Sequence, residues 1–275
     1  PSALTAVTVG AALSLAGLLI QTITANPLAS PTTLGITSGA SFGAALAITS
    51  GFSIAGELWL GTVSAAFAAA LLISGAILKI GHRDGMSPAA LILAGIVMNF
   101  FFMALQELLL YLASPETAQL INGWTFGNLE RAGKLAAAVP TVALAAALVV
   151  TVPAVWELTT LSMGEERAES LGVPVEKLRL TAFAAAALLV AAAVSFIGTI
   201  GFLGLVAPHI ARLLLGDDQR FLLPGTAFTG AALLSGASLA AKMLSVGSLI
   251  PVGIVTSLVG VPFLFFLLIR SRRML

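Results

Sequence analysis

The chain has 275 residues, of which 59% are hydrophobic and only 9% are charged, and its mean hydropathy is +1.07. Soluble domains carry about 25% charged residues, so this composition predicts an integral membrane protein. The chain contains no cysteine, which excludes disulfides and thiolate metal sites, and its net charge of +1 argues against a nucleic-acid partner.

Nine hydrophobic segments follow one another along the chain. They are rich in Leu, Ala and Val and lack the alternating polarity of barrel strands, and a bilayer core about 30 Å thick needs about 20 apolar residues per helix. Their approximate ranges are 1–22, 33–50, 58–79, 88–112, 134–154, 179–198, 201–215, 222–241 and 250–269. The sequence therefore predicts an all-α, polytopic membrane protein that forms a single transmembrane domain over residues 1–275.

The distribution of Lys and Arg predicts the orientation of these spans. Short cytoplasmic loops are rich in Lys and Arg, and a cytoplasmic C-terminus places ten of the thirteen such residues in the cytoplasm. With nine spans the first residue then lies outside. Because the chain starts at Pro1 within a hydrophobic run, we expect one further helix ahead of it, which makes ten spans in the full-length protein.

Residues 25–43, ANPLASPTTLGITSGASFG, interrupt the first hydrophobic run without a single charge. Asn26, Pro27 and Pro31 predict a loop that re-enters the membrane, because prolines inside a helix leave backbone groups unpaired. Gly35, Gly39 and Gly43 follow at intervals of four, which predicts that they share one helical face and let another helix approach closely. Two interpretations stay open: a tight turn before a core helix, or a gate that lines a pathway.

Glu107 is the one acidic residue inside a hydrophobic segment. Ionisable groups within membrane helices are candidates for a functional role. Its place late in the span 88–112 also allows the carboxylate to reach the lipid headgroups outside, and we expect this second role.

A charged cytoplasmic insert occupies about residues 157–178. Within it, Glu165, Glu166, Arg167 and Glu169 can share a short helix that Gly172 and the following Pro174 end. The insert is too polar to enter lipid. It is either a solvated loop or a docking element for a cytoplasmic partner.

The later segment GTIGFLGLVAPHIARLLLGDDQR, residues 198–220, joins two membrane helices. Its three spaced glycines are not a nucleotide fingerprint, because that motif needs a preceding strand. We expect His209 and Arg212 to bond loop carbonyls rather than hold a metal. The chain contains no GxxxxGK[ST] motif, so we expect no ATP hydrolysis by the chain itself.

Several of these segments together resemble the permease subunits of type II ABC importers, which take up vitamin B12, haem and iron-siderophore complexes. The resemblance rests on motifs spread over the whole chain. They are GAALSLAGLLIQTITANPLASPTTLGITSGASFGAALAI, LILAGIVMNFFF, GEERAESLGV, GFLGLVAPHIARLL and LIPVGIVTSLVGVPFLFFLL.

The resemblance implies a set of partners and a location. Two permeases, identical or related, surround a central pathway in the cytoplasmic membrane of a prokaryote. Two ATP-binding-cassette ATPases lie in the cytoplasm, and a substrate-binding protein delivers the ligand from outside. ATP and Mg belong to the ATPases, and the permease itself holds no cofactor or metal and has no catalytic residue.

The resemblance also implies roles for individual residues. The coupling helix that sits in a cleft of the ATPase comprises Glu165, Glu166, Arg167, Ala168, Glu169, Ser170, Leu171 and Gly172. Asn26 and Leu28 match the loop that closes the cytoplasmic end of the pathway, and Pro88 and Ala89 match a second constriction there. Lys242 matches an outward-facing Arg that pairs with a carboxylate of the binding protein, although Lys lacks the bidentate fork.

The leading hypothesis is therefore an ATP-driven importer permease that moves an iron chelate, haem or a cobalamin-like ligand into the cytoplasm. The alternative is a secondary transporter driven by an ion gradient. That class relies on ionisable groups at the membrane midplane, whereas Glu107 lies off-centre.

Overall fold

The computed structural model describes residues 2–129, 133–245 and 250–271, of which 266–271 are described by their backbone alone. This part of the chain consists of helices joined by loops and a single isolated bridge between Ile54 and Glu57. The helices are α1 (Ser2–Ile23), α2 (Ile36–Ser50), α3 (Leu58–Arg83), α4 (Pro88–Leu112), α5 (Pro115–Thr125), α6 (Lys134–Thr151), α7 (Val155–Ser162), α8 (Glu165–Ser170), α9 (Val175–Ile197), α10 (Leu203–Leu215), α11 (Gln219–Leu244) and α12 (Val252–Ser271). The predicted all-α class is confirmed.

Six of these helices, namely α1, α3, α4, α6, α9 and α11, are long and apolar enough to cross a membrane. The shorter apolar helices α2, α10 and α12 coincide with the three remaining hydrophobic segments. Each predicted segment therefore contains a helix in the described part of the chain. The number of actual crossings, nine here and ten in the full-length protein, stays a prediction.

Two helices were not predicted from the sequence. α5 begins at Pro115 behind Ser114, whose Oγ accepts a hydrogen bond from the Thr117 amide at 3.3 Å, a regular N-terminal cap. α7 follows a short turn that contains Pro153, and α6 accordingly ends at Thr151 instead of continuing to residue 154. Both helices are too short to span a bilayer, so neither produces an apolar segment of the length that a membrane span needs.

α1 is the central helix of the fold. It packs against α6, α9, α10 and α11, and most of its residues are buried. Glycines set the distance between these backbones: a Cβ on Gly17 would overlap the Gly204 carbonyl of α10, and one on Gly10 would lie 2.5 Å from the Gly230 oxygen of α11. The helices can approach this closely because neither partner has a side chain at the contact.

α2 begins beside α4, away from the ends of that helix. Gly35 caps it with a left-handed backbone (φ 72°), and a Cβ there would lie 2.7 Å from the amide nitrogen of Asn99. Asn99 lies eleven residues after the start of α4, about 16 Å along that helix. The start of α2 therefore lies beside the middle of α4, and re-entry of the preceding loop into the membrane stays a prediction.

The three glycines spaced by four do not share one helical face, as the sequence pattern had suggested. Gly35 lies outside α2 and faces α4, because the re-entrant loop needs its left-handed conformation to turn into the helix. Gly39 and Gly43 lie within α2 and face α3, where a Cβ on Gly43 would be 2.6 Å from the Ala65 oxygen.

We expect Gly17→Ala to destabilise the protein, because the added methyl group would separate α1 from α10. Overpacking of this kind costs about 1 to 3 kcal/mol. The thermal midpoint of the detergent-purified protein, followed by size-exclusion chromatography, measures the effect. Gly75→Ala is the matched control: Gly75 lies in α3 with nothing within 4 Å of its Cβ position, so its midpoint should stay or rise. Equal midpoints for the two variants would contradict the close contact.

Candidate functional site

The predicted coupling residues form a short exposed helix outside the membrane segments. α8 extends from Glu165 to Ser170 between Gly164 (φ 122°) and Gly172 (φ 79°), whose positive φ values suit glycine. Ala168 is its one buried residue. The others are exposed: Glu165, Glu166, Arg167, Glu169 and Ser170, together with Leu171 and Gly172 beyond the end of the helix. Met163 and Gly164, in the turn before α8, line the same solvent-accessible surface as the charged residues of the helix.

Arg179 connects α8 to the end of α1. Its Nη1 and Nη2 donate to the two carboxylate oxygens of Glu165 at 2.7 and 2.9 Å, and its Nε donates to the carbonyl of Ile23 at 3.0 Å. The side chain of Arg179 is only 2% exposed, whereas that of Glu165 is 44% exposed. The hydrogen bonds from Arg179 lower the pKa of Glu165, against the opposing effect of partial burial.

The loop at residues 24–35, here called the gate loop, carries the first pair of predicted gate residues. Ala25 adopts a left-handed backbone (φ 47°), and the Asn26 side-chain oxygen accepts a hydrogen bond from the Leu28 amide at 2.9 Å. This Asx-type turn is a local structure that Asn favours. It leaves the Leu28 side chain 58% exposed, in a position to contact another molecule or a second copy.

The second predicted pair begins α4. Ser87 caps this helix by accepting a hydrogen bond from the Ala90 amide at 3.2 Å, with Pro88 at the first helical position. Pro88 is partly buried and Ala89 is exposed. Both pairs of predicted gate residues therefore offer small or apolar groups at a surface, without an ionisable side chain among them.

A groove with a mainly apolar lining runs between α2 and α4, and several polar side chains also face it. It encloses about 580 Å³ and is lined by Thr37, Ser38, Ser41, Asn99, Gln106 and Glu107 among others. An adjoining cavity of about 640 Å³ shares Thr32, Thr125 and Thr199 with it. Glu107 therefore faces this groove, in addition to lying near the end of α4.

Lys242 lies at the opposite end of α1 from the coupling helix. It is exposed in the last turn of α11, and its Nζ donates to the Ser2 hydroxyl at 3.3 Å. Ser2 starts α1 and Ile23 ends it, so 22 residues, or about 33 Å of helix, separate the two predicted partner contacts. Such a separation matches the thickness of a membrane core.

Within the described residues, neither His209 nor Arg212 forms the expected hydrogen bond to a loop carbonyl. The His209 ring packs edge-on against Phe263 with centroids 6.1 Å apart, and Arg212 pairs with Asp217 at 2.9 Å. Among the residues that the structure describes, no three potential metal-ligating side chains lie together.

Arg179, Thr125 and Thr199 are the functional candidates that sequence reasoning missed. Thr125 and Thr199 meet through a hydrogen bond from the Thr199 hydroxyl to the Thr125 carbonyl. The residues lie 74 positions apart, so no local spacing could have paired them. One feature of the sequence could have indicated Arg179. It is a cation four residues after the start of a long apolar helix, and a buried cation requires a partner.

Comparison with known proteins supplies the family. The sequence matches the FecCD transport family over residues 1–270. It is 36% identical to the hemin transport system permease protein HmuU of Yersinia pestis, over 99% of this chain and 82% of that protein. It is 37% identical to the cobalamin import system permease protein BtuC of Halobacterium salinarum, over 96% of this chain and 70% of that protein.

A solved structure is similar over nearly the whole chain. It is described as an inward-facing conformation of a metal-chelate type ABC transporter, and its TM-score is 0.89 at 32% identity, with 98% of this chain and 85% of that chain covered. The match in sequence and the match in fold agree, and they extend over the groove, the gate loop and α8. The chain belongs to the FecCD transport family.

Proposed function

We propose that this chain is the pathway-forming subunit of an ATP-driven importer for an iron chelate, haem or a cobalamin-like ligand. The observation that carries the proposal is the geometry of α8, a charged and exposed helix whose inner side is bonded to the end of α1, next to the gate loop. This attachment fixes the position of α8 relative to α1, as docking of a partner on α8 would require. The names of the relatives, which include hemin and cobalamin permeases, support the ligand class.

In this proposal α8 is the coupling helix. Glu166, Arg167 and Glu169 are exposed on it, while Ala168 and the Glu165 carboxylate hold it against the rest of the chain. The exposed charges suit a cleft in an ATPase, which would also bind ATP and Mg. Because the helix is short and bounded by tight turns, a push on it would move it as a rigid body.

The groove between α2 and α4 would form one half of the pathway. Its hydroxyl, amide and carboxylate groups lie on a surface that this chain leaves open, and polar groups at membrane depth need water or protein beside them rather than lipid. A second permease, identical or related, would cover that surface and complete an aqueous path. Neighbouring α4 side chains such as Phe100, 66% exposed, would be covered by that copy or by lipid.

The ends of the pathway would be served by the remaining predicted residues. Leu28, Pro88 and Ala89 would close the cytoplasmic end by apolar contact, which suits a bulky ligand, and Asn26 would hold the turn that presents Leu28. At the outer end, exposed Lys242 would pair with a carboxylate of a substrate-binding protein, by a single-point contact rather than a bidentate one. The chain would then sit in the cytoplasmic membrane of a prokaryote with α8 in the cytoplasm.

The secondary transporter has less support. Its mechanism relies on ionisable groups near the midplane, and the acidic residues within the six long described spans are Glu107, near the end of α4, and Glu176, in the first turn of α9. Glu176 pairs with exposed His82 at 2.9 Å, away from the groove. No described feature favours gradient-driven transport over an ATP-driven mechanism.

We expect the full-length protein, purified from native membranes in mild detergent, to carry a stoichiometric ATPase with a phosphate-binding loop. Mass spectrometry of the purified complex identifies the partner and shows whether one or two permease sequences are present. A chain that purifies alone and transports on an ion gradient would contradict the proposal.

Neutralising the exposed charges of α8 should weaken binding of the ATPase. Exposed ion pairs contribute about 0.2 to 1 kcal/mol each, so the double variant Glu166→Gln, Glu169→Gln should raise the dissociation constant by about 2- to 30-fold, as titrated in detergent. Glu116→Gln makes the same chemical change at one carboxylate of α5, which the sequence places on the outer side, and serves as the control. Equal affinities for both variants would refute docking through α8.

A further inference from the structure

The last turn of α1 is held by hydrogen bonds from three other helices. Arg179 of α9 donates to the Ile23 carbonyl at 3.0 Å. The Gln219 side chain of α11 donates to the Thr22 hydroxyl at 3.3 Å, and Arg212 of α10 donates to the Gln21 side chain at 3.4 Å. These three residues of α1 are successive and buried, so the turn before the gate loop is positioned by polar contacts from three sides.

Two of the three donor residues, Arg179 and Gln219, also bind α8 and α7. Arg179 binds both carboxylate oxygens of Glu165 at the start of α8. The backbone amide of Gln219 donates to the Thr159 hydroxyl of α7 at 3.1 Å. α7 and α8 are consecutive along the chain, so the start of α8 and the helix before it are both connected to the end of α1.

The same turn of α1 also holds the gate loop. The Asn26 amide donates to the Gln21 carbonyl at 3.1 Å, and the Ala25 amide donates to the Thr22 carbonyl at 3.3 Å. Asn26 in turn fixes the Leu28 amide through its side chain. A displacement of this turn of α1 would therefore also displace the proposed gate residues Asn26 and Leu28.

We infer that Arg179 is the residue that transmits movement of α8 to the gate loop, an inference that rests on the proposed importer function. Three donors of one planar guanidinium are used at once, two on Glu165 and one on Ile23. A bidentate pair fixes orientation as well as distance, and the buried side chain has little room to change rotamer. Arg179 is a positioning residue, because it acts through Ile23 and is not assigned a contact with the ligand.

The alternative is that the pair only stabilises the fold. A buried guanidinium needs a partner in any case, and loss of that partner is destabilising. The two roles differ in what a conservative change should do. A purely structural pair affects how much complex forms, whereas a transmitting pair affects how much ligand moves for each ATP hydrolysed by an intact complex.

The test is Arg179→Lys in the complete complex with its ATPase and binding protein, reconstituted in liposomes. Lys keeps the positive charge but cannot bind Glu165 bidentately and Ile23 at the same time. We expect complex yield and ATP hydrolysis within about twofold of the unmodified protein, and at least a tenfold lower ratio of ligand imported to ATP hydrolysed. An unchanged ratio would overturn the inference.

Arg220→Lys is the matched control. Arg220 also forms a close Arg–carboxylate pair, with Asp218 at 2.6 Å, and its guanidinium lies 4.3 Å from the centre of the Trp156 ring of α7. Unlike Arg179, it makes no side-chain hydrogen bond to α1 or α8 among the described residues. The control should import ligand with the normal ratio. An equal loss of the ratio in both variants would show that losing any paired guanidinium in this part of the chain has the same effect, and it would overturn the specific role of Arg179.

Movement of the gate loop can be measured directly, because the chain contains no cysteine. A single Leu28→Cys thiol can be labelled with a water-soluble maleimide with and without ATP. We expect the labelling rate to depend on ATP in the otherwise unmodified complex and to lose that dependence when Arg179→Lys is added. Retained dependence would overturn the inference.

A second variant covers the case in which Arg179→Lys does not fold. Glu165→Gln keeps one acceptor for the guanidinium and removes the bidentate pairing, so it should lower the import ratio with the complex intact; an unchanged ratio would again overturn the inference. The failure of the proposed function is distinct: a wild-type chain without an ATPase partner would overturn that function, and the inference with it.

Discussion

The structure depends on the close approach of α1 to the helices around it. At Gly10 and Gly17 the backbone of α1 contacts the backbones of α11 and α10 with no side chain between them. Packing of this kind supplies much of the attraction between helices in lipid, where apolar surfaces gain little from avoiding water. Because the body of α1 is fixed by these contacts, its two ends are where other molecules and other elements can act on it.

The two ends differ in chemistry. At Ser2 the contact is an exposed lysine, which another protein could reach, whereas at Ile23 the contact is a buried arginine that leads to an exposed helix. A helix of about 33 Å thus lies between a candidate outer docking site and a candidate inner one. In the proposed importer, α1 would be a single rigid element that contacts both sides of the membrane and the gate loop.

Sequence patterns predicted the helical class, the hydrophobic segments and the interruption at residues 25–43, since bilayer thickness imposes a length on every span. They could not predict α5 and α7, because these helices are shorter than a membrane span. They also placed Gly35 on the wrong face, because a period of four does not reveal where the helix starts. Arg179 was visible only as one more cytoplasmic cation. Its partners, Ile23 and Glu165, lie 156 and 14 residues away, and only the fold brings them together.

The central claim is that this chain forms a pathway whose energy comes from a partner ATPase. Ligand uptake into liposomes that contain the whole complex, measured with ATP and an ionophore present, tests it most directly. The account predicts uptake that requires ATP and a binding protein and that persists when all ion gradients are collapsed. Uptake by the chain alone, driven by a proton or sodium gradient and abolished by the ionophore, would contradict it.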